Sequence, residues 1–215
     1  IPWVRLLYTY PGMLTERLIE LMAAKNQLLP YLDMPLQHAD PTVLRAMSRP
    51  SNVEWVTETI TKMRRLIPNL VVRTTMIVGY PNESDKSFEI LRDFIQDTEF
   101  DHLGVFTYSP EVDTSSYDLG DPIPMEVKEA RKAELMEIQA GISLSRLKKL
   151  RGNNFEMLVE GVNPDEHLLV GRTYRDAPEI DGLAIASGIA EEGELVSIRV
   201  TNTTEYDIIG EQLKK

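Results

Sequence analysis

The chain contains no cysteine. That excludes disulfides, cysteine-bound zinc, iron–sulfur ligation and thiol catalysis by its own residues. It has no apolar run near membrane-spanning length and no signal-peptide pattern, so a cytoplasmic chain with no membrane partner is expected. Basic charge is scarce: 23 Lys and Arg stand against 34 Asp and Glu, a net charge of −11. A phosphate-backbone binder needs the opposite sign, so nucleic acid is not the expected partner. What is present is an ordinary globular composition. The 215 residues are 42% hydrophobic and 27% charged, enough for one or two domains with real cores. The sequence opens on Ile1-Pro2 without an initiator Met, as a trimmed, processed or partial chain would.

Strand-like and helix-like segments alternate through the first 110 residues. Residues 3–8 are a compact aromatic and apolar run ended by Tyr10-Pro11-Gly12. Thr15 stands at an N-cap position, and Leu18, Ile19, Leu21 and Met22 follow at helical spacing. Residues 31–36 read as a second strand. A short helix with Leu44 and Met47 follows Asp40-Pro41. Residues 52–66 form an amphipathic helix carrying Val53, Val56, Ile60, Met63 and Leu66. The strongest strand signal is residues 70–78, closed by Gly79-Tyr80-Pro81-Asn82. Ser84 or Asp85 caps the next helix, and residues 102–108 make a fourth strand. This order predicts βαβ units around a parallel sheet, as a barrel arc or a doubly wound sheet. Both arrangements gather chemistry at the carboxyl ends of the strands.

Pro122 and Pro124 precede a long, highly charged helix over about residues 125–150. It reads as a helix packed by one stripe with solvated charges, or as a connector. Beyond it, five short alternating stretches over residues 155–211 suggest a small antiparallel β-barrel. The expected domains are therefore 1–150 and 151–215. The second holds 13 acidic and 6 basic residues, a net −7, against 21 and 17, a net −4, in the first.

Several residues can carry chemistry. His38, after Gln37 at a strand end, could act as acid or base, orient a ligand, or bond a loop carbonyl. His102 opens a strand and His167 lies in the tail, so no metal-ligand spacing occurs and no metal site is expected. Gly79 would let the backbone approach a flat ligand, and the amides after it could meet a carboxylate or phosphate, although this pattern is also generic loop grammar. Arg73, inside an apolar strand, needs a carboxylate from the protein or a ligand, unless it snorkels from an edge. Tyr8, Tyr10, Phe106 and Tyr108 frame an adenine or fill the core; taken singly, each is expected to be core.

Tyr31-Leu32-Asp33-Met34-Pro35-Leu36-Gln37-His38, with Met47 and Arg49-Pro50, resembles the central strands of radical S-adenosylmethionine methylthiotransferases. Arg73-Thr74-Thr75-Met76-Ile77-Val78-Gly79-Tyr80-Pro81 with Glu83 resembles that family's arginine–threonine strand and glycine–proline loop. Phe100-Asp101-His102-Leu103-Gly104-Val105-Phe106-Thr107-Tyr108-Ser109-Pro110-Glu111 resembles its last barrel strand. Gly171-Arg172-Thr173-Tyr174-Arg175-Asp176-Ala177-Pro178-Glu179-Ile180-Asp181-Gly182 resembles the TRAM domain of the branch that modifies an aspartate of a small-subunit ribosomal protein.

The resemblance implies the last four strands of a partial (βα)6 radical SAM barrel, followed by an OB-like TRAM barrel. It implies S-adenosylmethionine beside Thr75, Ile77, Gly79 and Glu83, with Arg73, Gln37 and His38 near the cofactor or substrate pocket. Arg172, Tyr174, Asp176, Glu179 and Asp181 would dock the substrate. No catalytic residue is assigned. The family also carries two [4Fe–4S] clusters, one on an N-terminal domain and one on a CxxxCxxC loop. Their ligands are absent here, so a carboxy-terminal fragment inactive by itself is expected. In the whole enzyme a 5′-deoxyadenosyl radical would take hydrogen from the aspartate β-carbon, where a methylthio group is installed. Asn82 and Asp113 replace glycines of the family pattern, and both tolerate left-handed backbone.

The acidic tail would repel RNA and attract a basic small-subunit ribosomal protein, which favours that branch over the related transfer-RNA adenosine branch. A protein-docking module without catalysis is the reading from another class. Residues 1–150 alone are expected to be poorly soluble, because an open barrel leaves an exposed edge.

Overall fold

A computed structural model describes residues 1–24 and 27–213. Contacts divide the chain into two compact units, Ile1–Gln139 and Ala140–Lys215.

The first unit is built on four parallel strands in the order β1 (Val4–Leu6), β2 (Leu28–Asp33), β3 (Val71–Val78) and β4 (His102–Thr107). Helices α1 (Glu16–Ala24), α2 (Pro41–Ala46), α3 (Val53–Leu66) and α4 (Asp85–Thr98) connect them. Local signals fix the helix starts. Asp40, Asn52 and Ser84 are N-caps whose side chains accept from the backbone N–H of Thr42, Trp55 and Ser87. Strand β2 begins at Leu28, earlier than the sequence suggests. Pro30 stands before Tyr31, the first residue in register with β3, so its missing N–H costs that ladder nothing. Pro35 then ends regular pairing, yet Met34 and Gln37 still donate to the Arg73 and Thr75 carbonyls at 3.0 and 2.8 Å. The buried Thr74 hydroxyl donates to the Met34 carbonyl and ties this irregular stretch to β3.

Burial alternates along β3. Val72, Thr74, Met76 and Val78 are buried, while Arg73, Thr75 and Ile77 are half-buried on the other face. On β4, His102, Gly104 and Phe106 stand in register beside those three. One face of the sheet is thus packed, and the other is an open row.

The long helix α5 (Met125–Lys148) is charged but not simply solvated, contrary to the sequence reading. Lys128 and Arg131 are buried, and so is Gln139, which donates to the Phe100 carbonyl at 2.9 Å.

The second unit is a closed barrel in the order β5 (Asn154–Asn163), β6 (Leu168–Thr173), β7 (Ala184–Ser187), β9 (Ile208–Gln212), β8 (Leu195–Thr203). Four seams are antiparallel, as expected, and β7 with β9 is parallel. An odd ring forces this, because strand directions cannot alternate around five members. Met157, Val159, Leu169, Ala186, Ile198 and Val200 fill the interior, with Leu147 packed against them. Gly171 is required at the β5–β6 seam: a Cβ there would lie 1.9 Å from the Leu158 carbonyl oxygen. Among the described residues, no helix is long and apolar enough to cross a membrane.

Candidate functional site

The carboxyl ends of β3 and β4 enclose a hollow of about 310 Å³, lined by Gln37, Arg49, Ile77, Phe106, Tyr108 and Ser109 among others. Gln37 reaches it in a left-handed conformation, φ 75°. Both its backbone groups bond β3: its N–H donates to the Thr75 carbonyl, and its carbonyl accepts from Ile77 N–H at 2.8 Å. That pins a non-glycine residue in an uncommon region and fixes where its amide starts. The hollow's floor is aromatic. Tyr80 and Tyr108 meet edge to face at 5.1 Å over Val43, with Met47 and Ile77 against them. Burial, then the neighbouring Tyr108, push the Tyr80 phenol above its ordinary value.

The aromatic residues divide unequally. Tyr108 is core, as expected. Phe106 is 60% exposed on the open row, Tyr8 is 78% exposed with φ 57°, and Tyr10 is 41% exposed, so core filling does not describe these three. Tyr10 lies under the Arg49 guanidinium, 5.5 Å from the ring centre.

Arg73 finds its carboxylate within the chain. Its Nη1 donates to Asp33 Oδ1 at 3.0 Å, while Asp33 Oδ2 accepts from Tyr8 N–H at 2.9 Å. The pair joins β2, β3 and the loop after β1 at the base of the open row. Thr75 and Ile77 continue that row towards the hollow.

His38 and Glu83 lie behind the Gly79 loop with fully buried side chains. His38 Nδ1 accepts from Asp40 N–H at 2.9 Å, which puts the ring proton on Nε2. That nitrogen lies 3.5 Å from Glu83 Oε2. Glu83 Oε2 also accepts from Gly79 N–H at 2.8 Å, and Oε1 accepts from Arg131 at 2.7 Å. Arg131 further donates to Asp85 Oδ1 at 2.7 Å. The Gly79 amide is therefore held by the chain itself rather than open to a ligand anion. Its glycine has a different cause from the one the sequence suggests: φ is +79°, and a Cβ would lie 2.3 Å from Lys128 Cγ. Lys128 is wholly buried and donates to the Tyr108 carbonyl at 2.8 Å and to Asp121. These two cations of α5 escaped sequence reasoning. Their i, i+3 spacing on a charged helix gives no signal of burial, since the Glu83 partner of Arg131 lies 48 residues away.

Asp40 is buried, which raises its carboxyl, but hydrogen bonds from Ser87 and from the Thr42 and Val43 amides outweigh this and hold it below the ordinary value. Asp113 adopts the left-handed backbone expected of it, φ 66°.

In the barrel, Arg172 Nε donates to Glu160 Oε1 at 2.8 Å across β5 and β6. Tyr174 packs against Phe155, 6.0 Å between ring centres. Asp176 is buried and accepts from the Thr173 hydroxyl, and Asp181 accepts from Ala177 N–H at 2.8 Å. Glu179 is exposed at φ 67°. Asp176 thus holds a turn rather than presenting a surface carboxylate.

The Radical SAM superfamily model matches residues 1–95, and the TRAM domain model matches residues 152–213. The chain is 43% identical over 217 residues to the ribosomal protein uS12 methylthiotransferase RimO of Myxococcus xanthus, covering 100% of this chain and 46% of that protein. Along its whole length the chain is similar to radical SAM methylthiotransferases. The RimO proteins of Thermus thermophilus and Thermosynechococcus vestitus are 44% and 45% identical, each over 98% of this chain and 48% and 47% of their own length. The chain spans about half the length of these methylthiotransferases. The radical SAM family uses S-adenosylmethionine and iron–sulfur clusters.

Proposed function

We propose that this chain works as part of a longer methylthiotransferase that adds a methylthio group to the β-carbon of an aspartate in a basic small-subunit ribosomal protein. In this reading residues 1–150 form one wall of the cofactor site, and residues 151–215 dock the substrate. The observation that carries the reading is the open row of Thr75, Ile77, Gly104 and Phe106 leading into the hollow beside Gln37 and Arg49.

Those residues fit S-adenosylmethionine. Ile77 and the exposed Phe106 ring offer apolar and aromatic surface to a purine, while the Gln37 amide and nearby hydroxyls offer polar partners. Arg73 and Gly79 set the backbone around it, and His38 and Glu83 brace the loop from behind. When bound, the cofactor supplies abstraction of a hydrogen atom from an unactivated carbon. The chain's own part is to bind, orient and exclude water. An iron–sulfur cluster does not fit this chain's residues: there is no cysteine, and among the described residues no group of three metal-ligating side chains converges.

Charge supports a protein substrate. The net −7 of residues 151–215 attracts a basic protein and repels a transfer-RNA backbone. Binding of the full-length enzyme to a basic ribosomal protein and to transfer RNA tests the choice. Tight RNA binding that falls steeply with salt defeats it, and so does a full-length protein that binds no S-adenosylmethionine.

A further inference from the structure

We propose that Arg49 makes the hollow a carboxylate-binding subsite, with its guanidinium as the anion clamp and the Gln37 amide beside it. The inference rests on the S-adenosylmethionine methylthiotransferase reading and deepens it.

Three sequestered cations of this unit are neutralised by the chain's own carboxylates. Arg73 is paired with Asp33, Lys128 with Asp121, and Arg131 with both Glu83 and Asp85. Arg49 is half-buried and lines the hollow, yet among the described residues no carboxylate pairs with it. Its guanidinium has the face of Tyr10 at 5.5 Å instead. Stacking leaves the edge of the fork, with its parallel N–H donors, free for a planar anion. Half-buried Arg64 is met by the Thr98 and Glu99 carbonyls at 2.6 and 2.7 Å, whereas Arg49 has no hydrogen-bond acceptor for its guanidinium among the described residues.

Two further features aim the site. The Gln37 side-chain amide also has no partner among the described residues, and its backbone is locked at φ 75° by the two hydrogen bonds to β3. Arg49 is placed as firmly: Ser48 turns the chain at φ 55°, and Arg49 N–H donates to the Leu44 carbonyl at 2.8 Å. Tightly held backbone on both donors is what preorganised recognition of one small anion requires.

The proposed reaction brings two such carboxylates to this wall: that of the methionine moiety of S-adenosylmethionine, and that of the substrate aspartate next to its reacting carbon. Both share the planar anion that a forked cation reads. The test uses the full-length enzyme, wild type and with Arg49→Gln or Arg49→Lys. It measures equilibrium binding of S-adenosylmethionine, of 5′-methylthioadenosine, which lacks the amino-acid group, and of a substrate peptide with aspartate or asparagine at the target position.

If the clamp reads the cofactor, Arg49→Gln weakens S-adenosylmethionine by about tenfold or more and leaves 5′-methylthioadenosine unchanged. If it reads the substrate, both nucleosides bind as before, the aspartate peptide weakens by about tenfold, and the asparagine peptide does not change. In either case Arg49→Lys, which keeps charge but not the fork, loses less. Unchanged affinity for every carboxylate ligand overturns the proposal, as does equal weakening of the two nucleosides, which marks a packing role. A wild-type enzyme that binds neither nucleoside nor peptide overturns the methylthiotransferase reading together with it.

Discussion

Around its strand-end loops the first unit buries Lys128, Arg131, Glu83 and His38, whereas the barrel interior is Met157, Val159, Leu169, Ile198 and Val200. Both units rest on apolar packing, but only the first adds a buried ionic layer beneath its strand ends. A buried ion pair is weak evidence for stability, since desolvation offsets much of the attraction. Its use here is positional. Arg131 and Glu83 fix the Gly79 amide, Lys128 holds the Tyr108 carbonyl, and together they set the loops that frame the hollow. In the barrel, buried charge among the described residues is concentrated at one turn, at Arg175 and Asp176.

The contrast is most sharply tested by Arg131→Ala. It leaves the Glu83 carboxylate buried without its cation, and a loss of about 3–5 kcal/mol is expected. Trp3 and Trp55 are the only tryptophans and both lie in Ile1–Gln139. Urea unfolding followed by their fluorescence should shift, while a tyrosine reporter in the barrel, such as Tyr206, should not. Equal shifts in both units would break the comparison.

Gly171→Ala should reverse the pattern. Its Cβ meets the Leu158 carbonyl, which cannot move without opening a seam, so a loss of about 3 kcal/mol is expected in the barrel. Gly79→Ala brings a Cβ against the buried Lys128 stem on a left-handed backbone, but a side chain rather than a seam carbonyl must move, so it should cost less. Thermal melts of the two variants side by side check this order.

Asp40→Ala removes an N-cap and should cost about 1 kcal/mol, while Asp40→Asn should cost less. Because the folded carboxyl lies below its ordinary 3.8, its contribution is complete above that value. It is lost as the pH falls through the lowered folded value. Stability against pH below neutrality should therefore be flatter in Asp40→Asn than in the wild type. The smallest effect belongs to Arg172→Ala. Its partner Glu160 is 41% exposed, and screening should leave less than about 1 kcal/mol in a urea melt.

The strand and helix order was legible wherever a periodic run met a local stop signal. Residues 70–78 and the five tail strands are the clearest cases. Strand β2 was misplaced because Pro30 reads as a breaker, and only the register with β3 shows why it is tolerated. Of the site, Gln37, Ile77 and Phe106 could be found from their places at strand ends. The roles of Lys128 and Arg131 could not. Arg131 lies 48 residues from Glu83 along the chain, and helical periodicity carries no trace of a partner that far away.

The parallel seam of the barrel sets an order of events. β9 lies between β7 and β8, so Ile208–Gln212 supplies the last two seams of the ring at once. A nascent chain paused before residue 208 can pair β5 with β6 and with β8, but β7 and β8 would each keep an open edge. Ile208–Gln212 is thus the segment on which ring closure depends, since without it two strand edges stay unpaired.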